Sequence, residues 1–357
     1  MKFINQYYIL PLLIYLCFCC QGNNSYRTLA AKVRQPVDTV GFAQFPWQMD
    51  SIMSRIDRKG WTKTGGSPWK LAICPHDDYT YVGKLYPEVL YNIKAPVVIL
   101  LGVAHRAAGL GIEDSLVFDT YSSWKGPWKD VKVSPLREQI FTFLSDRYAV
   151  INDSLHSIEH SVESMIPYLQ YFNRDVTIVP VLVPAMNPAR MEECGKALAE
   201  AIRNVAAKNG LEWGRDFTLV VTTDAVHYGN EDWGGADMAP FGCDSAGNKK
   251  ALDLEKQIMS DCLTGIITPG KISLFNNYTL KAENYREYKW TWCGRYCVPV
   301  ALYTAYFLDG KESLKCLFTG YSTSILNNPV PVDDIGMGRT AIATQCHWVG
   351  YAAAGYR

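Results

Sequence analysis

A chain of 357 residues, 48% hydrophobic and 20% charged, carries enough apolar material for a large buried core and is neither disordered nor fibrous. Its 35 Lys and Arg balance 35 Asp and Glu, and with no block of like charge nothing recommends nucleic acid as a partner. The 22 Tyr and 10 Trp point to aromatic-lined pockets, although a large core uses the same residues.

In chain order, residues 1–20 read as an export signal: Lys2 is followed by the apolar YYILPLLIYLCFCC, too short for a comfortable bilayer span, and then by the polar QGNNS. Cys19 or Cys20 stands where a bacterial lipoprotein carries its lipidated cysteine, although the preceding Phe18 or Cys19 is not small; a plain secretory peptide is the alternative. That lipid would be the only membrane contact, and the expected location is the bacterial cell envelope, periplasm or outer membrane. Residues 21–32 read as a linker and 33–357 as one domain. Of eleven cysteines, removing Cys17, Cys19 and Cys20 leaves eight, an even count that permits disulfides after export. Their spacing is scattered, so some are expected as buried thiols.

Pro36 and Pro46 keep residues 26–48 extended, and QMDSIMSRIDR (48–58) has helical spacing of its apolar residues. LAIC (71–74) is a short strand ending at PHDDYTYVG (75–83), which carries His76. PVVILLGVAHR (96–106) is an unbroken apolar run delivering His105, the pattern of a strand covered on both faces. Residues 106–133 read as loops and short strands, and 135–145 as a helix. NDSLHSIEH (152–160) leads into the helical SVESMIPYLQYF, placing Glu159, His160 and Glu163 near a helix start. VTIVPVLVP (176–184) is another buried strand, 190–208 a helix, and FTLVVTTDAVHYG (217–229) a strand whose end carries Asp224 and His227. Residues 230–247 form a Gly- and Asp-rich loop, a candidate lid. A charged helix over 248–264 and an aromatic, polar segment over 279–292 follow. Cys293 and Gly294 then precede an apolar helix from about Val298, a position that favours a thiolate. Strand-like segments over 315–323 and 340–354 close the chain. The alternation predicts an α/β fold, a mostly parallel central sheet flanked by helices.

Chemically, His76 and His105 from strand ends plus the Cys293 sulfur make a three-ligand metal set with open positions. His227 with Asp224 is suited to moving protons, with His160 and Glu163 supporting the site. Each has a plainer alternative. A strand-end histidine is often a satisfied polar group, Asp224 could cap a helix, Glu163 could complement a helix dipole, and Cys293 could be half of a disulfide. His156 and His347 have no partner legible in the sequence.

The ordered set PHDDYTYVG, ILLGVAH, EHSVESMIPYLQ, TIVPVLVPA, VVTTDAVHYG, CGR and GYAAAGY resembles the Memo-like family, whose bacterial members are called AmmeMemoRadiSam system protein B. The likeness runs from about Val33 to Tyr356. It implies a fold similar to class III extradiol dioxygenases, with His76, His105 and Cys293 as metal ligands and His227 at the position of the dioxygenases' catalytic base. His160 and Asp224 match other pocket residues, and Tyr79, Tyr81 and Arg106 are expected to meet substrate. Relatives commonly read PHAGYTY and GPSHH, whereas this chain has Asp77 and Asp78 in the first motif and Val103, Ala104 and Arg106 in the second. Arg106 could hold an anionic ligand or pair with Asp78.

The expected function is redox chemistry at one iron or copper ion, zinc not excluded, on a small molecule. A sulfur ligand departs from the carboxylate of ring-cleaving dioxygenases and favours softer states such as Cu(I). The rival expectations are a non-catalytic module holding a small molecule, peptide or metal, and a partner of a radical enzyme.

Overall fold

The computed structural model describes residues 32–58, 60–61, 66–310, 313–326 and 329–357, so the expected export signal and nearly all of the linker lie outside the described residues. The central strands form where aliphatic residues run unbroken, and several helices begin where the side chain of Asn152, Asn187, Asp244 or Thr268 accepts a first-turn N–H. In chain order, β1 (Val33–Arg34), α1 (Pro46–Arg58), β2 (Leu71–Cys74), α2 (Tyr79–Val82) and α3 (Leu85–Leu90) lead to β3 (Val97–Val103). Three short strands follow, β4 (Leu116–Phe118), β5 (Ser123–Trp124) and β6 (Val131–Lys132), then α4 (Leu136–Phe143), β7 (Ala149–Ile151), α5 (Asp153–Ile158) and α6 (Ile166–Phe172). The second half runs β8 (Thr177–Val183), α7 (Pro188–Asn209), β9 (Phe217–Thr222), β10 (His227–Gly229), α8 (Ser245–Ile258), α9 (Pro269–Thr279), α10 (Cys297–Asp309), β11 (Cys316–Thr323) and β12 (His347–Tyr356).

Nine of these strands form one sheet in the order β10-β12-β2-β9-β3-β8-β4-β7, with β11 paired to β12. The fold is therefore mixed α/β. Its centre, β2-β9-β3-β8, is parallel, while β12 runs antiparallel to β2, β10 and β11, and β4 antiparallel to β8. The expectation of parallel pairing thus describes the centre, and antiparallel strands occupy the flanks.

Alternate residues of the central strands enter two cores, as the two-residue period of a strand requires. Leu71, Ile73, Ile99, Leu101, Leu219 and Val221 face α7 and α10. Ala72, Cys74, Val98, Leu100 and Val220 face the other way, toward the layer holding α1, α3 and α6. Both faces are buried, which is why these strands read as continuous apolar runs rather than alternating ones.

The structure departs from expectation in three places. FTLVVTTDAVHYG is not one strand: β9 stops at Thr222, and His227 opens β10 after a turn. PHDDYTYVG continues into the short helix α2. The sequence reading passed over α9, which begins at Pro269 with the Thr268 side chain accepting from Lys271 N–H, a standard helix start. All eight cysteines among the described residues are free thiols, and Cys293 is therefore not half of a disulfide.

Candidate metal centre

Three neighbouring parallel strands each deliver a polar side chain two residues past their last residue: His76 after β2, Asp224 after β9 and His105 after β3. Cys74 and Thr222 are in register, so His76 and Asp224 stand level, and the backbone N–H of His76 donates to Asp224 Oδ1 at 3.0 Å. This is the carboxyl edge of the sheet, where open α/β folds bind ligands. Cys293 arrives from the far end of the chain. Val226 and Trp292 form an antiparallel bridge, and the Asp224 N–H donates to Cys293 Sγ at 3.1 Å. Gly294 makes the approach possible, because a Cβ there would lie 2.1 Å from Thr223 Oγ1.

The donor atoms of His76, His105 and Cys293 all lie within 4.8 Å of one another. His76 Nδ1 is hydrogen-bonded to Thr222 Oγ1 at 3.2 Å, leaving Nε2 facing Cys293 Sγ at 3.5 Å. Nitrogen and sulfur at about 2.1 and 2.3 Å from one ion, near the tetrahedral angle, stand about 3.5 Å apart, so this pair fits a shared metal. His105 Nδ1 donates to Glu159 Oε1 at 2.9 Å, which fixes its tautomer and leaves Nε2 as the free donor.

Burial drives His76 well below its ordinary value, helped by His105, His160 and His227, so its imidazole is neutral and able to ligate. Burial also drives the Cys293 thiol well above its usual range, with Asp224 adding to the effect. The helix-start argument for a thiolate is therefore overturned. Cys293 lies four residues before α10, buried beside Asp224, and a bound cation would supply positive charge that favours release of its proton.

Around this set, Asp224 has its carboxyl pushed up to about 7 by burial, and its Oδ2 stands 3.5 Å from His76 Nε2. It caps no helix. His227 is lowered to about 3 by burial, with His105 next in effect; its Nε2 is buried without a hydrogen-bond partner among the described residues, and its ring tilts against Trp233. His160 stacks on His105 with ring centres 4.8 Å apart and is lowered to about 4, again chiefly by burial. His76, His105, His160, Asp224 and His227 all line one cavity of about 610 Å³.

The remaining expected residues fall elsewhere. Glu163 is an anchor: its carboxylate pairs with the buried Arg34 and accepts from Val37 and Asp38 N–H at 2.9 and 2.6 Å, holding residues that line the cavity. The Tyr79 hydroxyl donates to Ser164 O at 2.6 Å inside a cluster with Phe42, Tyr86 and Tyr168, so it does not reach the cavity. Tyr81 donates to Ala341 O at 2.9 Å and accepts from Ala343 N–H, fixing the segment before β12. Arg106 is exposed, and Asp78 accepts instead from Thr340 N–H and its hydroxyl, so no Arg106–Asp78 pair forms.

Sequence reasoning noted Glu159 and gave it no role. Its carboxylate accepts from His105 N–H at 2.6 Å and from His160 and Ser161 N–H as well as from the His105 ring. Gly102 permits this, since a Cβ on that residue of β3 would meet Val162 Cγ2 at 2.4 Å. Sequence reasoning also missed His347, whose ring stacks on Trp233 at 4.1 Å in the cavity wall and whose Nδ1 is hydrogen-bonded to Glu231 O. His156 is a core residue bonded through Nε2 to Val117 O. The only signal for Glu159 was its place beside His160.

Comparison with known proteins places the chain in a family. The chain is 29% identical to a MEMO1 family protein of Pyrococcus furiosus over 165 residues, 44% of this chain and 52% of that protein. It is 30% identical to one from Aquifex aeolicus over 164 residues (44% and 54%) and 32% identical to one from Saccharolobus islandicus over 168 residues (44% and 52%). The chain thus spans about half the length of the curated relatives it matches. A family model described as Memo-like protein matches residues 47–329, and the chain belongs to the Memo-like protein family.

Proposed function

We propose that the protein is a mononuclear metal enzyme that carries out redox chemistry on a small molecule, with His76, His105 and Cys293 holding one iron or copper ion. The observation that carries this reading is the 3.5 Å between His76 Nε2 and Cys293 Sγ, with His105 held by Glu159 at the same point. An ion bound there supplies Lewis acidity and an electron-transfer centre, and the sulfur ligand suits it to softer oxidation states.

The chain's own groups would do the rest. Thr222 and Glu159 orient the two imidazoles through their Nδ1 atoms, so each presents Nε2. Asp224, buried with its Oδ2 3.5 Å from His76 Nε2, is placed to pass a proton beside the His76 ring. His227 keeps a neutral imidazole whose Nε2 has no hydrogen-bond partner among the described residues, which places it to meet a polar group of a substrate in the cavity. Trp233, from the 230–247 loop, and His347 stack on each other in the cavity wall.

The test is metal analysis of protein purified from its own host, beside Cys293→Ser. Loss of most of the metal is expected, and undiminished metal excludes the sulfur ligand. Oxygen consumption by anaerobically iron-loaded protein, screened against catechols, separates the enzyme from a holding module: tight binding with no turnover favours the module.

A further inference from the structure

The metal donors sit in a wall between two cavities of opposite character. The first, already described, carries Asp77, Asp78, Asp224 and Asp232. The second, about 520 Å³, has His105 and Cys293 in its lining together with Arg286, Arg295 and Glu113. His105 belongs to both.

In the second cavity the acid is already engaged: Glu113 pairs with Arg286. Arg295 is only 8% exposed, and among the described residues no carboxylate pairs with it. Its Nη2 donates to Arg286 O at 3.1 Å, its Nε is buried without a hydrogen-bond partner, and its guanidinium lies over the rings of Tyr288 and Tyr296 at 3.5 and 4.4 Å. Aromatic faces soften the loss of water around a cation but do not replace a counter-anion. A buried guanidinium beside a cavity is therefore a site for an anion from outside.

The rest of the lining fixes the ligand's other end. Val103, Ala107, Ile112 and Val183 are apolar, and the cavity ends on His105 and Cys293. We propose that Arg295 anchors the carboxylate of a small, largely apolar substrate that reaches the metal centre through this second cavity. A monoanion fits better than a phosphate dianion, because Arg286 is held by Glu113 and only one guanidinium is unpaired. The role first expected of Arg106, holding an anion, passes to Arg295 on geometric grounds. The assignment rests on the metal-enzyme reading for what happens to the substrate, but not for its binding.

The experiment is calorimetric titration of the full chain, stripped of metal and verified by elemental analysis, with benzoate, its neutral isostere benzamide, and inorganic phosphate. Benzoate should bind at least about tenfold more tightly than benzamide. Arg295→Met should reduce that preference to less than about twofold, and Arg106→Ala should leave it intact. If Arg295→Met does not fold, Arg295→Lys, which keeps the charge but loses the planar fork, should weaken benzoate by about fivefold or more. Binding of neither ring compound, equal binding of both, or a preference that survives the change at 295 overturns the proposal. Phosphate competing as strongly as benzoate overturns the carboxylate assignment. With no metal present, this titration can fail while Cys293→Ser still abolishes metal binding, so the two readings are separately decided.

Discussion

Glu159 and Glu163 lie four residues apart in the same short segment, and both are buried, at 1% and 5% exposure. They do opposite jobs. Glu159 grips the ring and backbone of His105 and so orients a candidate metal donor, whereas Glu163 neutralises Arg34 and pins the Val37–Asp38 backbone over the cavity. Residue type, burial and neighbourhood are the same; the partner decides the function. Glu255 extends the lesson. It is fully buried like the others but accepts only from neutral donors, the Trp290 and Trp292 indoles, Val226 N–H and the Tyr321 hydroxyl. Burial therefore wins at Glu255 and pushes it up to about 7, while at Glu159 burial is outweighed by His105 and further hydrogen bonds, and the carboxyl falls to about 2.

The contrast breaks most visibly at Glu163. Glu163→Ala leaves Arg34 buried and uncompensated, and should cost about 3–5 kcal/mol in denaturant unfolding, with metal per folded molecule unchanged. Metal loss equal to that of Cys293→Ser would erase the distinction between anchor and orienter. Glu159→Gln should show the reverse pattern: metal affinity falls by about 10–100-fold in competition with a chelator, with a smaller loss of stability. The smallest effect belongs to Glu255→Gln, about 1 kcal/mol, because one of two acceptor oxygens is exchanged for an amide. Its pH signature sharpens the comparison. The folded value of Glu255 lies above the ordinary 4.5, so folding takes up a proton between 4.5 and about 7; its contribution is full below 4.5 and is lost as pH rises through 7. Stability plotted against pH should therefore fall more steeply over that window in the parent protein than in Glu255→Gln.

The central strands were legible because both of their faces are covered, which removes polar residues and leaves aliphatic runs. His76 and His105 were legible for the same reason, each standing just past such a run. Glu159 was not, since its partner is 54 positions away and nothing local separates it from Glu163. Tyr79 and Arg106 illustrate the converse. Both sit in motifs that carry candidate metal ligands, yet the Tyr79 hydroxyl turns into the aromatic core and Arg106 turns to solvent, directions that spacing along a motif does not encode. The antiparallel flanks escaped notice because the direction of a strand is set by its connections and partners in the sheet, not by its own residues.

Gly294 separates Cys293 from Arg295, and its bare backbone rests on the Thr223 side chain. A methyl group at that point would act as a wedge, levering the sulfur away from the imidazoles and swinging the guanidinium out from between its two phenol rings in a single movement. The proposed metal site and the proposed anion grip thus hang from one hydrogen-sized clearance, and neither could be retuned through this turn without disturbing the other.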